Sequence, residues 1–199
     1  MATTGGIFCL EGTWADHREL ADRTSVVHQL RMFEDARACG KVIQLDVATR
    51  GEFDYYVREW PLKETYRREY PLAYLAFHGA RGALWIGPES EPMTLEELKT
   101  TIGPGRAHNR ILYFGSCSTM AANEDELQGF CKETGAKAIV GFTNNINWLE
   151  SAAFDCLLVP KLLAMKNMRS VYTKLQREHP KFVQRLGLRM ATSEWATVP

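Results

Sequence analysis

The chain lacks the signals that would tie it to nucleic acid, a membrane or a metal. Lysine and arginine together number 24, as do aspartate and glutamate, so the formal net charge is zero. There is no basic excess to meet a phosphate backbone or an anionic lipid surface. No apolar run approaches the roughly 20 residues that span a bilayer. The start, MATTGGIFCLEG, has no charged lead-in to a long apolar segment, so no signal peptide is expected. The five cysteines (Cys9, Cys39, Cys117, Cys131, Cys156) are scattered, with no CxxC pair and no Cys/His cluster of zinc-ligand spacing. That usage suits a reducing cytoplasm. No glycine-rich phosphate loop follows the first strand-like run. GTWADH is neither a P-loop nor GxGxxG, which argues against a small nucleotide-binding signalling domain. Internal repeats, low-complexity tracts and long linkers are missing too, and 199 residues are expected to form one domain, 1–199, with a real core.

What is present is an alternation of apolar runs and amphipathic stretches. Strands are expected at Gly6 to Leu10, Lys41 to Val47, Leu72 to Phe77, Arg110 to Gly115 and Lys137 to Phe142, with a small extra strand at Ala83 to Ile86. Helices are expected from about Ser25 to Ala38, from Thr49 to Trp60, from Thr94 to about Thr101, and from Asn123 to Gly135. Three of them start on a capping signal: Thr49 with Glu52, Thr94 with Glu97, and Asn123 with Glu126. The remainder reads as helical, Leu149 to Val159 with Pro160 as a kink or break, then Ser170 to about Arg185, with a loose tail from Thr192 to Pro199. Continuous apolar strands interleaved with helices point to an α/β fold, a mostly parallel sheet covered on both faces.

Two strand ends carry chemistry. LAYLAFHG runs apolar from Leu72 and ends in His78-Gly79; ILYFGSCST runs apolar from Ile111 and ends in Gly115-Ser116-Cys117. In an open parallel sheet, sites form beyond the carboxyl ends of the strands. If the two strands are neighbours, an imidazole and a thiol share one rim. A thiol attacks as its thiolate and needs an acid/base partner, and the backbone N–H groups of Gly79 and Cys117 could face a developing oxyanion. Taken singly, a histidine at a strand end is usually a polar residue meeting water, and a cysteine is usually a small core residue. The latter reading is kept for Cys9, Cys39, Cys131 and Cys156. His108 precedes the fourth strand and is expected at its far end, about 20 Å from Cys117 at roughly 3.3 Å per residue. His17, His28 and His179 have no paired signal.

The order apolar strand, His-Gly, apolar strand, small residue, Cys resembles the caspase-like cysteine peptidases of clan CD, and most nearly the bacterial CHAT type. The resemblance covers about Leu72 to Leu163. FHGARGALWIG is similar to the family's His-Gly segment and its hairpin, MTLEELKTTI to the helix between the catalytic strands, ILYFGSCSTMA to the cysteine segment, and TGAKAIVGFTNNINWLESAAF to the next strand and the loop beside the primary specificity pocket. The resemblance implies a caspase-like three-layer α/β/α sandwich. It implies a catalytic dyad of His78 and Cys117, an oxyanion hole from the backbone at Gly79 and Cys117, and no metal or organic cofactor. It also implies a P1 pocket drawn from the loops Glu11 to Arg18 and Thr143 to Glu150. The pattern departs from the family at Ser116, where many relatives have alanine, and at Ser118-Thr119, where caspases have arginine-glycine. The short stretch between Cys117 and the fifth strand leaves no room for the cleavable linker of caspases, so one intact chain is expected.

On this reading the partner is a protein or peptide substrate, with a separate activator or regulatory protein in place of the sensor domains often attached to CHAT domains. Nucleic acid and membrane are not expected partners, and an oligomer could pair through a sheet edge or the C-terminal helices. The family also suggests a role in defence or cell death. Candidate substrate-binding residues are Glu11, Trp14, Asp16, Asn145, Trp148 and Glu150. The acidic ones favour Arg or Lys at P1, although Arg18 and Arg23 oppose that and charged loop residues are usually only solvated. Glu11 has a second reading, as the group that orients His78. The rival to an active peptidase is a catalytically silent caspase-like module that binds a partner.

Overall fold

The computed structural model describes residues 5–14, 24–62, 64–87 and 91–198. Asp16, His17, Arg18 and Arg23 therefore lie outside the described residues. The apolar runs form the strands β1 (Ile7–Glu11), β2 (Val42–Asp46), β3 (Leu72–Ala76), β7 (Ile111–Phe114) and β8 (Ala138–Phe142). Between β3 and β7 lie three short strands, β4 (His78–Ala80), β5 (Ala83–Trp85) and β6 (Met93–Thr94), and a last strand is β9 (Leu188–Ala191). The helices are α1 (Val27–Asp35), α2 (Arg50–Leu62), α3 (Glu64–Glu69), α4 (Leu95–Ile102), α5 (Glu124–Thr134), α6 (Trp148–Ala164), α7 (Met168–Glu178) and α8 (Pro180–Leu186).

The main sheet runs β2-β1-β3-β7-β8-β9, parallel except for β9, which pairs antiparallel with β8. Strand alternation sorts the side chains into two cores. Phe8, Leu10, Ala73, Leu75, Leu112, Phe114 and Ile139 pack on one face with residues of α2, α4 and α5. Ile7, Cys9, Leu72, Tyr74, Ile111, Tyr113 and Val140 pack on the other with α1, α6, α7 and α8. The result is a three-layer α/β/α sandwich. Each fully buried Leu or Phe contributes about 1.5–3 kcal/mol, and both faces of every central strand are filled, which is why the strands read as unbroken apolar runs.

The capping signals act as expected. Thr94 accepts from the Glu97 N–H while the Glu97 carboxylate accepts from the Thr94 N–H, and Thr49 with Glu52 does the same. Asn123 accepts from the Glu126 N–H. The C-terminal third departs from expectation. Pro160 does not break α6, because Phe154, Leu158, Val159 and Leu162 bury its flank on both sides of the proline. Pro180 does divide the expected long helix, standing at the start of α8. The tail is not loose. It turns back so that Thr197 N–H donates to Met190 O, and the buried Arg189 guanidinium donates to Thr197 O, Met120 O and Ala122 O.

Candidate functional site

The site is assembled at the carboxyl ends of β1, β3, β7 and β8. β3 and β7 are parallel neighbours in register, Leu75 beside Phe114, so the segments that follow them leave the sheet on the same rim. After β3 the chain turns at Phe77 into the hairpin β4–β5, which begins with His78. After β7 it turns through Gly115 and Ser116 to Cys117.

The hairpin lies directly on the cysteine loop. A methyl group on Gly79 would stand 2.0 Å from Cys117 O and 2.8 Å from Cys117 N, so only glycine permits this approach. Thr119 Oγ1 donates to Ala83 O at 3.1 Å, and Gly82 N–H donates to Ser118 O at 3.4 Å. Three contacts thus stitch the strand pair that starts with His78 to the loop that carries Cys117. Ser118 adopts a left-handed backbone with φ of 54°, a strained conformation for a residue with a Cβ. It is held there by its N–H donating to Asn144 O at 3.0 Å and its hydroxyl donating to Asn145 Oδ1 at 3.0 Å.

His78 is exposed and is positioned from β1. Its Nε2 stands 3.1 Å from Trp14 O, and the Trp14 ring meets the imidazole edge-on with centroids 5.4 Å apart. A carbonyl only accepts, so Nε2 is the donor in this contact, and Nδ1 is the ring nitrogen the contact does not use. Trp14 is anchored by Glu11, whose buried carboxylate accepts from the Trp14 indole N–H at 2.6 Å, the Ser25 hydroxyl at 2.7 Å, the Val26 N–H at 2.8 Å and Gln44 Nε2 at 3.2 Å.

Cys117 is half-buried and is positioned from the loop after β8. Ile146 N–H donates to its sulfur at 3.4 Å, and the thiol approaches Ile146 O at 3.8 Å. Among the described residues no hydrogen bond joins Cys117 to His78. Cys9, Cys39 and Cys131 are buried as expected of core residues, whereas Cys156 is not a core residue, because it lies on an exposed position of α6. Burial pushes the Cys9 thiol well up, Cys39 up to about 11 and Cys131 up to about 12. Cys156, exposed on α6, is raised by partial burial and then by the neighbouring Asp155.

Beneath the rim, Asp155 of α6 is fully buried and accepts hydrogen bonds from the Tyr74 hydroxyl, at 2.6 Å, and from the Tyr113 hydroxyl. Burial raises its carboxyl from 3.8 to about 7, against the opposing pull of the tyrosine hydrogen bonds. One helix is thereby bolted to the strand that leads to His78 and to the strand that leads to Cys117. Gly115 completes the joint, since a Cβ there would stand 2.7 Å from the Tyr74 ring.

Of the candidate substrate residues, Glu11 and Trp14 gather at His78, and Asn145 gathers at the cysteine loop. Trp148 is the first residue of α6 and is half-buried. Glu150 forms an ion pair with Arg185 of α8 at 2.7 Å. Asp16 falls outside the described residues. His108 forms a bridge with Ala136, ahead of β8 and away from the rim. Sequence reasoning passed over Ile146, Asp155 and Arg185. Their roles come from contacts between distant segments and leave no local pattern; an aspartate amid the apolar run AAFDCLLV was the one visible sign of Asp155. Among the described residues no cluster of three or more His, Cys, Asp or Glu could hold a metal, and no helix is long and apolar enough to cross a membrane.

A search of curated proteins finds no match to the chain. A family model described as a family of unknown function, DUF6642, matches residues 5–191, and the chain belongs to that family.

Proposed function

We propose that this protein is a caspase-like cysteine peptidase in which Cys117 is the nucleophile and His78 the acid/base. The observation that carries the reading is the contact of Gly79 with the backbone of Cys117, which sets the histidine hairpin against the cysteine loop. In the proposed reaction the Cys117 thiolate adds to the scissile carbonyl. The oxyanion meets the N–H groups of Gly79 and Cys117. Collapse breaks the C–N bond, and protonated His78 gives its proton to the departing amine. Water, deprotonated by His78, then hydrolyses the thioester and frees the thiol. The chemistry draws on no cofactor. The cytoplasm is the proposed location, and a protein substrate and a separate regulator are the proposed partners. A basic P1 residue fits Glu150 once Arg185 is displaced; cleavage after aspartate alone would reject that preference.

The silent-module alternative draws on one feature. Cys117 and His78 are each engaged by another group, Ile146 and Trp14 O, rather than by one another. The two readings separate on intact-mass measurement after incubation with a panel of peptidyl acyloxymethyl ketones. A single adduct on Cys117 that disappears in His78→Ala supports the peptidase. The absence of any adduct across the panel supports the silent module.

A further inference from the structure

Trp85 has no part in the scheme above, yet it stands directly across the hairpin from His78. The pairing of β4 with β5 sets His78 opposite Trp85, Gly79 opposite Leu84 and Ala80 opposite Ala83. Opposed residues of an antiparallel pair project from the same face with their Cβ atoms about 4.5–5.5 Å apart. Along β5 the next residue, Leu84, points the other way into the core and is 1% exposed, whereas Trp85 is 41% exposed. A large indole is therefore presented to solvent on the same face as the proposed acid/base, while its own neighbours Leu84 and Ile86 are buried. Trp14 occupies the flank of His78 supplied by β1.

We infer that Trp85 is a specificity-determining residue of the proposed peptidase and receives an apolar or aromatic side chain immediately after the scissile bond. The inference rests on the peptidase reading. The proton that releases the leaving amine comes from His78, so the leaving-group half of the substrate lies on the His78 side of the cleft. Trp85, paired across the hairpin from His78, is an exposed aromatic surface on that side. An indole face selects apolar, aromatic or cationic side chains. The exposed Arg81 in the turn of the same hairpin disfavours a cation, which leaves the apolar and aromatic classes.

The test is a peptide series constant up to the scissile bond and carrying Gly, Leu, Phe, Lys or Asp after it, with products quantified by mass spectrometry. Wild type is expected to cleave the Phe and Leu members about tenfold faster in kcat/KM than the Gly member. Trp85→Ala is expected to bring those members within about twofold of Gly, and Trp85→Phe to keep most of the preference. Trp85→Lys, at an exposed position, is expected to move the preference toward Asp, and this serves as the readout should Trp85→Ala not fold. A flat wild-type profile, or a preference that survives Trp85→Ala and Trp85→Lys, overturns the inference while leaving the peptidase intact. Cleavage of no member overturns both.

Discussion

The two halves of the candidate site are held by two different segments, one following β1 and the other following β8. The His78 half takes its support from the segment after β1, through Trp14 and the buried Glu11. The Cys117 half takes its support from the loop after β8, through Asn144, Asn145 and Ile146. Where the halves meet, among the described residues no bond joins the His78 and Cys117 side chains; the seam is a close backbone approach at Gly79, the Thr119 hydroxyl donating to Ala83 O, and the Gly82 N–H donating to Ser118 O. The lesson is that the proposed dyad depends on how two separately braced segments are pressed together. Perturbing either brace should affect one partner, and perturbing the seam should affect both.

The largest effect is expected from the two proposed reacting groups themselves. Cys117→Ala and His78→Ala should each lower kcat/KM by about a thousandfold or more, while circular dichroism melting stays near wild type because neither side chain belongs to a buried core. Next comes the seam. Gly79→Ala forces a Cβ to within 2.0 Å of a backbone oxygen. It should cost about 1–3 kcal/mol of stability and lower the rate of Cys117 labelling at least about a hundredfold. Gly129→Ala, in α5 with open space around it, is the matched control and should stabilise the protein by up to about 1 kcal/mol.

A third prediction concerns the bolt that both halves share. Folding raises the Asp155 carboxyl from 3.8 to about 7, so between those values the native chain holds a proton that the unfolded chain has released. Stability from this group is therefore greatest near pH 4, falls as pH rises toward 7, and levels above that. Melting temperatures of wild type and Asp155→Asn across pH 4 to 8 should diverge with that sign. A difference independent of pH would mean the carboxyl does not titrate in this window. The smallest effects belong to the individual braces. Trp14→Phe keeps the backbone carbonyl that meets His78 but loses the indole N–H to Glu11, and Asn145→Ala loses the Ser118 contact. Each should reduce kcat about three- to tenfold with little change in KM, as positioning residues do.

Much of this was legible because it is local or periodic. The parallel strands are apolar runs whose two faces are both buried, and the capping pairs at Thr49, Thr94 and Asn123 lie within a few residues of each other. That the segments carrying His78 and Cys117 leave the sheet on one rim followed from their positions after two parallel strands. What stayed hidden depends on distant contacts. β9 is four residues containing an arginine; it pairs antiparallel with β8, and its Arg189 can be buried there because it finds three carbonyl acceptors from the segments after β7 and at the C-terminus. Asp155 reads as an interruption of a helical apolar face until Tyr74 and Tyr113, on two different strands, are seen to donate to it. Pro160 reads as a break until the burial around it is known.

The most direct test of the central claim is to look for the covalent intermediate. A cleavable peptide ester, mixed with wild type and quenched in acid within the first turnover, should leave an acyl thioester on the Cys117 peptide, and Cys117→Ala should neither trap acyl group nor release product. Acylation elsewhere on the chain, or cleavage that persists in Cys117→Ala, would contradict the account.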